Sequence, residues 1–120
     1  MSRHRDALYV RHIRQATHKI IARLRGVTRE AFDADDEKQD GVIRQLEIVG
    51  EAASGVSADF RAAHPEIDWR GLKDLRNVLI HGYANVNLDL VWEHARRDVP
   101  QLYEQISALQ RDLDEEQEPE

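Results

Sequence analysis

Four chemically capable side chains crowd one short stretch of this chain: Arg76, Asn77, His81 and Tyr83, in the segment LRNVLIHGY. Imidazole exchanges a proton near neutral pH. A fixed guanidinium can hold a phosphate and neutralise charge that develops on it. With RNA the neighbouring 2′-hydroxyl can serve as the attacking group, so phosphodiester chemistry on this inventory requires no metal and no cofactor. On a continuous helix Asn77 and His81 share a face, roughly 40° apart with a rise of ~6 Å. Arg76 and Tyr83 share another face but stand ~10 Å apart along the axis. A straight helix therefore does not gather the four groups. A turn at Gly82 would let the chain leave the helix and swing Tyr83 back. Spacing alone also leaves a plainer alternative open, with Arg76 paired to Asp74 or a distant glutamate, His81 satisfied at a helix end, and Tyr83 in the core.

Other chemistries find less support. Six histidines (His4, His12, His18, His64, His81 and His94) include no pair three or four residues apart, the spacing that places two metal ligands on one helix face. Glu93 and Asp98 lie near His94 at the spacing of a solvated face, so no dedicated metal site is expected. There are no cysteines, which excludes disulfides and thiolate metal sites. Neither a phosphate-cradling glycine loop nor a dinucleotide fingerprint is present.

The elements that must position these residues all read as helices. Tyr9, Ile13, Ala16, Ile20, Leu24 and Val27 recur at helical spacing, and Gly26 sits where such a helix would stop. A charged connector from Thr28 to Asp36 has room for a short helical turn. A second helix is expected from about Asp36 to Ser54, burying Ile43, Leu46, Val49 and Ala53. Gly41 and Gly50 weaken it, but the low bulk from Gly50 to Ala53 suits close packing against another helix. Ser57 caps a short third helix that must end before Pro65. Asp68 caps a fourth, with Trp69, Leu72, Leu75, Leu79 and Ile80 inward. Asn87 caps a long last helix running through Val91, Ala95, Val99, Leu102, Ile106, Leu109 and Leu113, which Pro100 should kink or divide. No strand or hairpin signal competes. The expected fold is all-α, an antiparallel bundle of four to five helices, with one domain over residues 1–113 and an acidic, frayed tail over residues 114–120.

With 120 residues, 41% hydrophobic and 33% charged, the chain suits amphipathic helices with solvated outer faces. It contains no membrane-length apolar run and no secretory signal, so a soluble, cytoplasmic protein is expected. The formal net charge of -6 hides an asymmetry: residues 1–30 hold eight Lys or Arg against two acids, and the rest hold nine against 21. A basic first helix on an acidic body presents a positive surface locally, or simply a solvated face.

RNVLIHGY resembles the RxxxxHxY motif of the HepT-like family, within the HEPN superfamily of helical ribonucleases, and the resemblance extends over residues 42–102. It implies a HEPN-like bundle and a metal-independent endoribonuclease acting on RNA rather than DNA. It further implies the toxin of a two-gene toxin–antitoxin module, made with a minimal nucleotidyltransferase (MNT-type) antitoxin. Carried over, Arg76 contacts the scissile phosphate, His81 acts in proton transfer, Asn77 orients the site, and Tyr83 is the tyrosine that the antitoxin can modify with AMP. Leu75 and Asn87 depart from the family's frequent methionine and aspartate without touching this chemistry. Glu51, Arg44 and Arg70 are secondary candidates for the site.

Internal transesterification needs a base at the 2′-hydroxyl and an acid at the leaving 5′-oxygen, yet one chain supplies a single well-placed histidine. A homodimer, which the resemblance also implies, would bring His81 and Arg76 twice to one cleft. The competing class is a non-catalytic helical module that binds a nucleotidyltransferase partner or nucleotides; an adjacent nucleotidyltransferase gene and the effect of replacing His81 discriminate the two.

Overall fold

The computed structural model describes residues 2–81 and 86–117, with the backbone alone for residues 2, 3, 78, 80, 81 and 117. Helix α1 spans Ser2–Leu24, α2 Arg29–Asp33, α3 Asp36–Gly55, α4 Ala58–Ala63 and α5 Trp69–His81. The last helical rod consists of α6 (Leu88–Glu93), a π-helical turn (His94–Asp98) and α7 (Val99–Gln117). The fold is all-α: the described residues form four long helical elements with two short ones between them. No helix among the described residues is long and apolar enough to cross a membrane.

Local chemistry sets the helix ends. α1 stops before Gly26, whose φ of 72° lies in the left-handed region where a side chain would be strained. Thr28, Asp35, Ser57 and Asn87 each accept a hydrogen bond from a backbone N–H in the first turn of the following helix. The Asp68 carboxylate accepts from the Gly71 N–H at 3.0 Å. Pro100 does not break the last rod. The backbone stays helical through it, and the adjustment is the π turn just before, where the Val99 N–H donates to the His94 carbonyl five residues back. Such a bulge rearranges the backbone bonding next to the proline, which has no N–H to give and a ring that crowds the carbonyl four residues earlier.

Long-range contacts give the topology. Arg23 donates to the Gly41 carbonyl, and buried Asp6 accepts from both the N–H and the hydroxyl of Ser57, so α1 and α3 run antiparallel. Arg14 reaches Ser107 and Arg96 reaches the Leu24 carbonyl, so the last rod is antiparallel to α1. α5 packs on α3. The core forms two lobes along the bundle. One centres on Val10, Ile13, Val49, Trp69 and Ile106, and the other on Ile20, Leu24, Phe32, Leu46, Leu79 and Val91. The second lobe lies at the end where α5 terminates. Through Leu75 and Leu79 it is the platform for the last turns of α5.

Candidate functional site

α5 carries the motif because its apolar face is fixed on α3. Trp69, Leu75 and Leu79 are buried, and Leu72 packs partly buried against the core. This register turns Arg76 toward α3 at Gly50, where the two helices approach so closely that no side chain fits. A Cβ on Gly50 would lie 3.0 Å from the Leu72 carbonyl oxygen, 3.1 Å from Arg76 Cα and closer still to Arg76 Cβ. The expected close approach at Gly50 thus has a specific partner, the arginine of the motif.

Arg76 is half-buried, and its Nε is buried without a hydrogen-bond partner. Among the described residues it makes no ion pair, so the pairing with Asp74 that spacing permits is not formed. A buried donor on a charged group that lacks a partner costs about 1–3 kcal/mol or more. No carboxylate among the described residues compensates this guanidinium, in a chain that holds 23 Asp and Glu. The arrangement suits a group reserved for an anion that arrives from outside.

Asn77 is exposed beside Arg76, where it can meet a ligand. His81 is the last residue of α5, and its side chain lies outside the described residues, as do Gly82 and Tyr83. The expected opening of the helix at Gly82 falls in the same stretch, and the side chain of Ile80, expected to face inward, lies outside the described residues too. Of the secondary candidates, Glu51 and Arg70 are exposed, and Arg44 is exposed and engaged with Glu47 at 3.4 Å. The other histidines are dispersed among local partners. His94 pairs with Asp98 at 2.7 Å, His64 faces Glu66 at 3.6 Å, and His18 tilts against Tyr103. Among the described residues no group of three or more His, Asp or Glu is placed to hold a metal ion.

The described elements on the far side of the motif are tied to one another. Beyond it, Asn87 caps α6, and Arg29 of α2 pairs with both Asp33 and Asp89, tying α2 to the first turn of α6. These two carboxylates, Asp33 first, hold the Arg29 guanidinium above its ordinary pKa. Beneath, Phe32 is fully buried with its ring 5.2 Å from that of Trp92. A cleft of about 330 Å³ opens between α5 and the π turn, floored by Leu46, Leu72 and Leu75 and rimmed by Glu66, Asp68 and Asp98. Its acidic rim repels phosphate, which argues against it as the place where RNA is cut. The Arg76 contact with Gly50 and the π turn escaped sequence reasoning; the only signal for the first was the low bulk of the Gly50–Ala53 stretch.

Comparison with known proteins bears on this geometry. The profile described as "Ribonuclease HepT-like" matches residues 13–109. "Probable ribonuclease HepT" of Thermococcus cleftensis is 36% identical over 108 residues, 90% of this chain and 96% of that protein. A "Putative RNase" of Caldanaerobacter subterraneus subsp. tengcongensis is 33% identical over 101 residues, 84% of this chain and 90% of that protein. In Methanocaldococcus jannaschii a "Gamma-glutamylcyclotransferase and putative RNase" is 34% identical over 107 residues, 89% of this chain but 48% of that longer protein. No solved structure matches significantly. The motif on α5, the bundle that carries it and a profile spanning most of the chain agree: this protein belongs to the ribonuclease HepT-like family.

Proposed function

We propose that the chain is a metal-independent endoribonuclease that cuts RNA by attack of the 2′-hydroxyl on the adjacent phosphate. The observation that carries this reading is the part-buried Arg76 guanidinium, whose Nε has no partner among the described residues, five residues before His81 on the helix whose register α3 fixes. Arg76 neutralises the phosphate as charge builds on it. His81 moves the proton, Asn77 orients the substrate, and Tyr83 supports the site. Two copies related by a two-fold axis would supply one histidine as base and the other as acid. In the cell the chain acts as the toxin of a two-gene module, a role its family membership supports. A nucleotidyltransferase antitoxin restrains it by binding, by adenylylating Tyr83, or both.

The test is RNA cleavage by purified protein in excess chelator. His81→Ala is expected to lower the rate by about 10²–10⁴-fold, the usual loss on removing a proton-transfer group. Helical circular dichroism should stay unchanged. Cleavage that survives this change, or that stops on chelation in the wild type, refutes the mechanism; a wild type that cleaves no RNA favours a non-catalytic binding module. Intact mass after co-expression with the antitoxin should show adenylyl increments that disappear in Tyr83→Phe.

A further inference from the structure

The basic character of α1 has no part in the cleavage chemistry, and one of its arginines, Arg14, faces an open basin together with an arginine of α7. Arg14 lies half-buried between α1 and α7. Its Nε donates to the Ser107 hydroxyl at 3.2 Å, its Nη2 reaches the Tyr103 hydroxyl at 3.5 Å, and the guanidinium carbon stands 5.6 Å from the Tyr103 ring centre. Those partners are all neutral, so they hold the guanidinium in place without cancelling its charge. Arg111, one helical turn beyond Ser107, is exposed, and neither it nor Arg14 makes an ion pair among the described residues. The two arginines, Tyr103, Ser107 and a single carboxylate, Glu104, line an open basin of about 400 Å³. The His18 ring lies 5.9 Å from that of Tyr103. In a chain with an excess of acids, two guanidiniums facing one basin without an acidic partner mark a surface for an external anion.

We propose that this basin is a second RNA-backbone subsite, in which Arg14 and Arg111 hold phosphates of the strand away from the point of cleavage. The inference rests on the ribonuclease reading above. Most N–H groups of Arg14 remain free for phosphate oxygens. Tyr103 and Ser107 are turned roughly 200° on α7 from Gln101 and Gln105, which line the cleft toward α5. The basin is therefore on the flank of the bundle away from α5. A strand engaged at Arg76 reaches it only by running several nucleotides around the bundle, or by coming from the site of a second copy. The subsite acts by positioning and selects for longer RNA.

The test uses the intact chain with Arg14→Gln and Arg111→Glu, singly and together. The Arg111 side chain is exposed, and the amide introduced by Arg14→Gln keeps a donor for Ser107, so folding should be preserved; circular dichroism and melting verify this. Binding is read by fluorescence anisotropy on uncleavable 2′-O-methyl oligouridylate of about a dozen nucleotides and on the tetranucleotide, across a salt series. Each single-strand phosphate contact contributes about 0.7 to the slope of log affinity against log salt, so the double variant should lower the slope by about 1.4 for the long strand. Its affinity for that strand should fall by at least about tenfold, and by much less for the tetranucleotide. In cleavage, KM for long RNA should rise while kcat holds. An unchanged slope, or equal losses on both lengths, overturns the subsite. Since the binding probe cannot be cut, a wild type that binds it but cleaves no RNA refutes the ribonuclease reading and leaves the subsite standing. A wild type that cleaves, with a salt slope indifferent to both arginines, does the reverse.

Discussion

Gly50→Ala tests whether the contact between α3 and α5 sets the position of Arg76. In the interior of a helix this change normally stabilises by about 0.5–1 kcal/mol, because alanine gives up less backbone entropy. Here the added methyl meets Arg76 Cα at 3.1 Å and the Leu72 carbonyl oxygen at 3.0 Å, and Arg76 Cβ closer still. Ordinary carbon contacts are ~3.5–4.0 Å, and every one of these atoms is backbone or Cβ, so none can swing aside. α5 must withdraw by about an ångström to clear the Arg76 Cβ, at an overpacking cost of about 1–3 kcal/mol. The net effect is destabilisation by about 1 kcal/mol, a melting point lower by roughly 4 °C. Since a 1 Å misplacement of a catalytic group can cost ~10²-fold, cleavage should fall by about 10- to 100-fold in a protein that is still folded. Gly41→Ala in the same helix is the control: its Cβ meets only the flexible end of Arg23, the nearest atom at 3.3 Å, so it should stabilise slightly and leave cleavage unchanged. Thermal melts and single-turnover cleavage of both variants decide the matter. A Gly50→Ala protein that is stabilised like the control, or that cleaves at the wild-type rate, refutes the claim that this contact positions Arg76.

Two further outcomes follow from the same physical reasoning. Arg76→Met keeps the apolar stem and removes the unpartnered Nε, so the melting point should hold or rise while cleavage drops by ~10²-fold or more. A loss of stability near ~3 kcal/mol would instead assign the guanidinium a structural role. Asp6 is 4% exposed and accepts from the Ser57 N–H at 2.8 Å and its hydroxyl at 2.7 Å, joining α1 to the cap of α4. Asp6→Ala leaves that N–H without its acceptor and should cost about 1–3 kcal/mol in urea unfolding, with cleavage per folded molecule unchanged. Ser57→Ala, which keeps the N–H bond to Asp6, should cost less.

The helices were legible because their causes are local. Apolar spacing, the capping side chains of Ser57, Asp68 and Asn87, and a left-handed Gly26 act over a turn or less, and each operates where the sequence places it. Pro100 shows the limit of such reasoning. A disturbance of the last helix was predictable, but its form as a π turn at His94–Asp98, with the rod continuing, was not. The inventory of the motif was equally plain from residue types and spacing, and so was the geometric point that one straight helix cannot assemble Arg76, His81 and Tyr83.

What tertiary structure decided is which charges remain uncompensated. Arg76 has Asp74 two positions away, and Arg14 belongs to a chain rich in acids; composition alone would have paired both. Instead the register of α5 on α3 sets Arg76 against Gly50, 26 positions distant, and buries its Nε beyond the reach of any described carboxylate. The packing of α7 on α1 surrounds Arg14 with the hydroxyls of Tyr103 and Ser107, about ninety positions away. Helix formation needs only neighbours along the chain, and the sequence lists those in order. The availability of a charge depends on what other helices bring within a few ångströms of it, and that is settled only when the bundle closes.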